Sequence, residues 1–168
     1  IMDREEPNIL LGAPAVTTNC RDPEVSIGVG SGGPYTYAWS TANGNITGSL
    51  DENQTTADRP GLYTVILTDT LNGCTSTADV TVINDGVTLT PNAGPDQVLI
   101  CTGAGTVLNG SFFPNLNGTE VRWYAPEGSE IGKDLQVATL GPGPHVFEVI
   151  RPESGCSSFD TGMVNSAA

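Results

Sequence analysis

The sequence predicts an all-β protein made of two β-sandwich domains in tandem. Three observations lead to this prediction: a composition typical of strands and turns, an internal repeat, and one tryptophan between two cysteines in each repeat. The 168 residues include 21 Gly and 12 Pro, which favour turns, whereas the helix formers Lys, Arg and Met are scarce. We therefore expect almost no helix.

The internal repeat appears as the same series of features in each half of the chain. The series is Cys20, Trp39, residues 60–67 (PGLYTVIL) and Cys74 in the first half, and Cys101, Trp123, residues 142–149 (PGPHVFEV) and Cys156 in the second. Aligned on the later cysteine, Pro60 falls on Pro142, and the register continues without a gap. The repeat predicts two domains, residues 1–85 and 86–168, that meet at a turn signal.

Each repeat contains short segments of alternating or β-branched residues, separated by Gly and Pro clusters. These predicted strands are residues 25–29, 35–39 and 63–67 in repeat one, and 106–108, 120–124, 135–137 and 145–150 in repeat two. Strands this short and this closely spaced predict a sandwich or barrel. The apolar segment 8–16 is either the first strand of repeat one or a strand donated to a neighbouring subunit. The tail 159–168 is less strand-like.

The four cysteines occupy equivalent places in the two repeats, and three pairings are formally possible. We expect Cys20 to pair with Cys74 and Cys101 with Cys156, because duplicated domains would then fold independently. Each bond would close a loop of about 55 residues and stabilise its small domain by roughly 4 kcal/mol. Paired cysteines also predict an oxidising compartment. Zinc ligation is disfavoured, since neighbouring cysteines are at least 27 residues apart and the chain has one histidine.

One tryptophan lies between the cysteines of each repeat, an order typical of immunoglobulin-like sandwiches, in which a buried tryptophan fills the centre. The cysteines, however, precede one predicted strand and follow another. We therefore expect the disulfides to join the sandwich edge rather than to cross its core. The alternative role for Trp39 and Trp123, together with Tyr124, is an exposed platform that stacks on a sugar.

The charge is strongly acidic, with 19 acidic and 6 basic residues and a formal net charge of −13. Such a surface repels nucleic-acid phosphates and anionic membranes, which excludes nucleic acid as a partner. No apolar stretch approaches the ~18 residues that span a bilayer, so membrane insertion is not expected. The chain begins with an acidic segment rather than a signal peptide, and we interpret it as a fragment of a longer protein.

Several motifs together resemble a known group of repeats. They are residues 32–40 (GGPYTYAWS), 60–65 (PGLYTV), 72–75 (NGCT) and 92–97 (NAGPDQ). These motifs resemble the PKD-like and immunoglobulin-like repeats of large secreted surface proteins of Bacteroidetes-type bacteria, including gliding-type adhesins. The resemblance covers nearly the whole chain. It implies export by a type IX secretion route and a role as stalk or adhesive modules. Repeat two departs from the pattern where His145 replaces Tyr63 and where residues 112–116 add length.

No catalytic set is visible, and we expect neither an enzyme nor a resident cofactor. His145 is the only histidine and lies in a predicted strand, which favours a structural role. The acidic pairs Asp51-Glu52 and Glu127 with Glu130 look like solvated loop residues. The one metal candidate is calcium, held by the carboxylates of Asp85 and Asp96 on either side of the repeat boundary.

Candidate modification sites are of two kinds. Four Asn-x-Ser/Thr sequons are acceptors if the source glycosylates asparagine: Asn45, Asn53, Asn109 and Asn117. The segment Asp69-Thr70-Leu71 resembles the short O-glycosylation signal of the same bacterial phylum, which makes Thr70 a second type of candidate.

Three functional hypotheses follow. The first is a structural and adhesive module of an extracellular cell-surface protein or filament, whose partners are neighbouring domains or subunits and a protein or glycan ligand. The alternative is a pair of carbohydrate-binding accessory domains of a secreted enzyme. The third is a receptor ectodomain of a eukaryotic cell.

Overall fold

A computed structural model of the protein describes residues 5–30, 32–100, 105–139 and 141–167. These residues form strands, turns and loops, with no helix among them. The chain divides into two compact units, which we call unit 1 (Ile1–Gly86) and unit 2 (Val87–Ala168). Each unit is a β-sandwich, and the predicted fold class is confirmed.

Unit 1 contains seven strands in two sheets. The strands are β1 (Leu10–Leu11), β2 (Ala15–Thr18), β3 (Val25–Gly30), β4 (Tyr35–Thr41), β5 (Gln54–Ala57), β6 (Gly61–Asp69) and β7 (Thr75–Asn84). One sheet has the order β1-β3-β5 and the other β2-β7-β6-β4. All pairs are antiparallel except β2 with β7. This arrangement is that of an immunoglobulin-like sandwich, whose first strand is shared between the two sheets.

Unit 2 repeats this arrangement with additional breaks. Its strands are β8 (Thr90–Asn92), β9 (Gln97–Leu99), β10 (Thr106–Asn109), β11 (Ser111–Phe113), β12 (Glu120–Tyr124), β13 (Glu130–Gly132), β14 (Gln136–Thr139), β15 (Gly143–Arg151) and β16 (Cys156–Ser166). One sheet has the order β13-β12-β15-β16-β9, and the pairs β8-β11 and β10-β14 face it. The parallel pair is β9 with β16, the counterpart of β2 with β7.

The core of unit 1 is formed by the inward-facing residues of both sheets. Along β6, buried Tyr63, Val65 and Leu67 alternate with more exposed residues, which is the period of two expected for a strand with one face in the core. They pack with Trp39 of β4 and Ile27 of β3. Aliphatic side chains from both sheets thus pack in one cluster with the tryptophan, whereas antibody domains have a disulfide beside it.

The core of unit 2 is centred on two aromatic side chains. The Trp123 and Phe147 ring centroids are 4.7 Å apart at an interplanar angle of 37°, a tilted contact within the favourable range for aromatic pairs. Leu108 and Val149 complete the cluster. A Cβ atom at Gly110 would lie 2.6 Å from the Phe147 ring, so glycine is required where the chain passes this ring between β10 and β11.

The predicted strands agree with the observed ones apart from three details. The strand predicted at residues 135–137 is observed at Gln136–Thr139. The tail expected to be weakly strand-like is part of β16, which is 11 residues long, because its full pairing with β15 compensates for its polar sequence. Segment 8–16 contributes β1 and β2, which pair with strands of their own unit, as expected if the segment opens repeat one.

Candidate functional site

The two tryptophans are buried in the unit cores. Trp39 is 4% exposed, Trp123 is 0% exposed, and the Trp39 indole N–H donates a hydrogen bond to the carbonyl oxygen of Glu52 at 2.9 Å. Neither ring face is open to a ligand, so the interpretation of these residues as a sugar-stacking platform is wrong. Tyr124 is half-buried, and its hydroxyl donates to Glu148 Oε2 at 2.7 Å. That bond raises the pKa of Tyr124.

Tyr63 and His145 occupy equivalent positions in β6 and β15, and both are 0% exposed. The Tyr63 hydroxyl donates to the Arg59 carbonyl at 2.6 Å and accepts from the Asn45 backbone N–H at 2.9 Å. It thereby ties the start of its strand to two loops, as the tyrosine corner does in other immunoglobulin-like domains. Sequence reasoning missed this network, although Tyr63 follows the turn at Pro60 as a corner tyrosine would.

His145 ties its own strand in a similar way. Its Nδ1 lies 3.1 Å from the Gly143 carbonyl oxygen, and its Nε2 lies 2.9 Å from Thr139 Oγ1. Because a carbonyl oxygen only accepts, Nδ1 carries a hydrogen and donates it to Gly143, while Nε2 and the Thr139 hydroxyl share the second hydrogen bond. Both ring nitrogens are therefore engaged in structural hydrogen bonds, which leaves neither available as a base in this conformation.

The acidic residues considered as catalytic pairs are engaged in local contacts. The Glu127 carboxylate accepts a hydrogen bond from the Ser129 hydroxyl at 2.6 Å, which lowers the pKa of Glu127. Glu130 lies 3.8 Å from Arg122 and 3.6 Å from Lys133. Asp51 accepts from the Ser49 hydroxyl at 2.5 Å. These carboxylates lie on exposed turns and strand edges. They do not converge in a cleft, as the carboxylates of an acid–base pair do.

The two calcium candidates are described within their own units. The Asp96 carboxylate accepts a hydrogen bond from the Met163 backbone N–H at 3.1 Å. Asp85 has an exposed side chain, and its backbone N–H donates to the Thr18 carbonyl at 2.8 Å. Within the described ranges, no three His, Cys, Asp or Glu side chains gather as metal ligands. Calcium binding by these two residues stays a prediction.

The candidate glycosylation sites are all exposed: Asn45, Asn53, Thr70, Asn109 and Asn117. The Thr70 hydroxyl donates to the Pro34 carbonyl oxygen at 2.7 Å, so a sugar on this oxygen would replace that hydrogen bond. The Asn45 amide donates to Asp58 at 2.8 Å. Modification at these positions stays a prediction.

Cys74 and Cys156 occupy the same place in two matching hairpins. Each cysteine follows a glycine with positive φ, 77° at Gly73 and 69° at Gly155, a conformation that favours glycine. The N–H of each glycine donates to the carbonyl four residues earlier at 2.8 Å. The two cysteines therefore begin the last strand of their units from equivalent turns.

The residues that precede Cys20 and Cys101 occupy equivalent places in the parallel strand pairs. Thr18, the last residue of β2, pairs with the last residue of β7, and Leu99, the last residue of β9, pairs with the last residue of β16. Each of these residues stands two positions before its cysteine. Cys101 itself lies outside the described residues.

The two cysteines of unit 1 thus lie at opposite ends of its last strand. β7 has 10 residues, which corresponds to about 30 Å of strand. A disulfide needs its two Cα atoms within roughly 7 Å of each other. Pairing of Cys20 with Cys74 is therefore incompatible with the fold, whereas the pairing of Cys101 with Cys156 involves a residue outside the described ranges and stays a prediction.

The bonding state of the cysteines agrees with this geometry. Cys20 and Cys156 are disulfide-bonded, whereas Cys74, among the cysteines that the structure describes, is a free and half-buried thiol. The predicted Cys20–Cys74 bond is wrong. The repeat correctly identified Cys74 and Cys156 as equivalent, but the assumption that repeat one closes its own disulfide failed.

The chain crosses unit 1 from one end to the other. The Asn72 side-chain amide donates to the Glu5 carbonyl oxygen at 3.1 Å, which places Glu5 beside the hairpin that contains Cys74. We call this the entry end. The chain leaves at the opposite end, where β7 ends at Asn84. Exposed Cys20 lines a groove of about 260 Å³ at this exit end.

The comparisons with known proteins show similarity of fold alone. No family profile matches the chain, and no curated protein matches it in sequence. Similar solved structures include three N-terminal domains of the highly immunogenic outer capsid protein of bacteriophage RB49 (13% identity, TM-score 0.48, 96% of this chain and 59% of that chain). An I-band fragment of titin is 13% identical, with a TM-score of 0.46 and coverage of 95% and 64%.

A third similar structure is the Ig1 and Ig2 domains of DIP-gamma (8% identity, TM-score 0.46, 98% of this chain and 99% of that chain). The chain spans less than two thirds of the phage and titin fragments. The described residues include no helix that would span a lipid bilayer.

Proposed function

We propose that this chain is a structural and adhesive module, two immunoglobulin-like repeats in series within the stalk or filament of an extracellular cell-surface protein. The observation that carries the proposal is the end-to-end course of the chain through each unit. In unit 1 the chain enters beside Asn72 and leaves after Asn84. Repeats with entry and exit at opposite ends can be joined in a line without the chain turning back.

Unit 2 has the same course. The Ala93 N–H donates to Asp160 Oδ2 at 2.8 Å, and Leu99 pairs with Ser166 at the end of β16. The incoming chain therefore runs parallel to β16, from the Cys156 end toward the end where the chain leaves. Its entry and exit lie at opposite ends, as in unit 1.

Two further features support an extracellular role. Disulfide-bonded cysteines persist in oxidising compartments, outside the reducing cytosol. The net charge of −13 keeps such a surface soluble and repels polyanions. The partners we propose are neighbouring domains or subunits of the same protein, together with a surface ligand. The hypothesis of a carbohydrate-binding accessory role depended on exposed tryptophan rings, and both tryptophans are buried.

The location is tested by labelling intact cells of the source organism with an antibody raised against this chain. We expect label on the outer surface without permeabilisation, while an antibody against a cytosolic protein gives none. Label that appears only after permeabilisation would contradict the proposal. The adhesive part is tested by coating beads with the chain and measuring their retention on cells of the same organism, with beads coated with the heat-unfolded chain as the control.

A further inference from the structure

We propose that unit 2 contains a binding site for a phenol ring, in a groove that His145 leaves open where unit 1 is filled by Tyr63. The groove has a volume of about 340 Å³ and lies within unit 2, beside the start of β15. Either a small free phenol or a tyrosine side chain supplies such a ring, and the test distinguishes the two. The proposal goes beyond the stalk function and does not depend on it.

In unit 1 a phenol ring of the chain itself occupies the corresponding place. The buried Tyr63 side chain reaches from β6 to two loops, where its hydroxyl donates to the Arg59 carbonyl oxygen at 2.6 Å and accepts from the Asn45 N–H at 2.9 Å. A Cβ atom at Gly44 would collide with the same hydroxyl. The loop after β4 therefore closes directly on the end of the tyrosine ring.

In unit 2 the side chain at this position is shorter and ends earlier. The two ring nitrogens of His145 lie 3.1 Å from the Gly143 carbonyl oxygen and 2.9 Å from Thr139 Oγ1. Thr139 precedes His145 by six residues, as buried Ala57 precedes Tyr63, so a hydroxyl caps the imidazole where unit 1 has a methyl group. Both hydrogen bonds stay on β14 and β15, and neither joins the histidine to the loop after β12.

The groove is lined by that loop on one side and by His145 and the turn before β15 on the other. Its apolar walls include Pro126, Ile131, Ala138 and Pro142. Polar groups are few, with Glu127 and the Gly141 backbone beside the histidine. Apolar walls with a small number of polar groups are typical of ligand sites. An apolar cavity of about 150 Å³ is enough to bind benzene, so this groove has room for one substituted ring.

The polar groups at the groove match a phenol hydroxyl. Gly141 precedes His145 by four residues, as Arg59 precedes Tyr63, so the Gly141 carbonyl oxygen is the counterpart of the acceptor that the Tyr63 hydroxyl uses in unit 1. The exposed Glu127 carboxylate lines the same groove as a further acceptor. A bound ring would pack against the apolar walls and donate its hydroxyl to one of these oxygen atoms, whereas a ring without a hydroxyl would forgo that hydrogen bond.

The site is tested by titrating the ¹⁵N-labelled chain with p-cresol and following the backbone amide signals by NMR. We expect saturable shifts at Glu127, Ala138 and Gly141, while the signals of unit 1 stay in place. Toluene, which has the same ring and methyl group without the hydroxyl, should bind about fivefold more weakly, the worth of one net hydrogen bond. Equal affinity for toluene, shifts of the same size in unit 1, or no saturable shift with p-cresol would overturn the proposal.

Two substitutions close the groove in different ways. His145→Tyr supplies a phenol from the chain itself, as in unit 1, and should abolish p-cresol binding. Ala138→Phe adds a ring from the exposed side of β14 and leaves the buried histidine in place, so it decides the question even if His145→Tyr does not fold. Gln136→Phe, at the other exposed position of β14, is the control and should bind p-cresol as the parent chain does. Undiminished binding by folded Ala138→Phe would contradict a site in this groove.

The source of the ring is distinguished with N-acetyl-tyrosine amide, for which N-acetyl-phenylalanine amide is the control. Saturable shifts of the same residues with the tyrosine amide, at higher affinity than with the phenylalanine amide, would support a tyrosine side chain as the occupant. Binding of p-cresol without binding of the tyrosine amide would support a small free phenol. None of these titrations depends on adhesion or on a cell-surface location, so the phenol site and the proposed function can fail separately.

Discussion

Cys74 and Cys156 begin the last strands of their units from the same glycine turn, yet Cys156 is disulfide-bonded and Cys74 is a thiol. Local structure does not account for the difference, because both hairpins have the same backbone hydrogen bond and the same glycine conformation. The hairpin that holds a cysteine therefore does not determine its bonding state, although the two positions are equivalent in the repeat.

The Tyr63→Phe substitution should destabilise unit 1 by about 1–3 kcal/mol, because it leaves the buried Arg59 carbonyl and Asn45 N–H without their shared partner. Tyr35→Phe is the matched control, because the Tyr35 hydroxyl makes no hydrogen bond to any residue that the structure describes. Its effect on the free energy of unfolding should stay within about 0.5 kcal/mol. Urea unfolding measures both. Equal effects of the two substitutions would show that the Tyr63 hydroxyl has no special role.

The Phe147→Ala substitution should cost unit 2 about 3–5 kcal/mol, since it removes the ring that packs on Trp123 at 4.7 Å and leaves a cavity. Phe159→Ala, on the outer face of β16 with its side chain 60% exposed, is the control and should cost less than about 1 kcal/mol. Trp123 fluorescence during denaturation reports on both variants. Similar costs at the two positions would contradict the assignment of Phe147 to the core.

Glu24 should give unit 1 a small acid-dependent stability. Hydrogen bonds from the Thr47 and Thr56 hydroxyls lower the pKa of Glu24 below its ordinary value of 4.5, so folding favours the ionised form. This contribution is present above pH 4.5 and is lost as the pH falls through the lowered pKa.

Thermal melting of Glu24→Gln and of the parent chain between pH 7 and pH 2 checks this expectation. The difference between their midpoints should be largest at neutral pH and should close in acid. Glu6→Gln, a change at another exposed glutamate, serves as the control and should show no such trend. A constant difference for Glu24→Gln across the range would mean that the hydrogen bonds do not favour the ionised carboxylate.

The strands and the core of both units could be predicted from sequence, because alternation along residues 63–67 and 145–150 directly encodes which side chains face inward. The repeat register also correctly paired Tyr63 with His145 and Cys74 with Cys156. These features depend on local patterns and on the similarity of the two halves.

The disulfide partners could not be predicted in the same way. Pairing depends on which end of the unit each cysteine occupies, and that is determined by the parallel run of β2 beside β7, which places Thr18 next to Asn84. Local sequence pattern does not show strand direction or register between residues that are 66 positions apart, as Thr18 and Asn84 are. The hydrogen bonds of His145 with Thr139 and Gly143 likewise arise from the closure of the sheets.

The most direct test of the central claim is to stretch single molecules of this chain from their two ends under reducing conditions. Two units that each bear load from their entry to their exit should unfold in two separate steps, each releasing roughly 280 Å of contour length at about 3.4 Å per residue, less the end-to-end length of the folded unit. Extension of the reduced chain without two such steps would contradict a load-bearing stalk module.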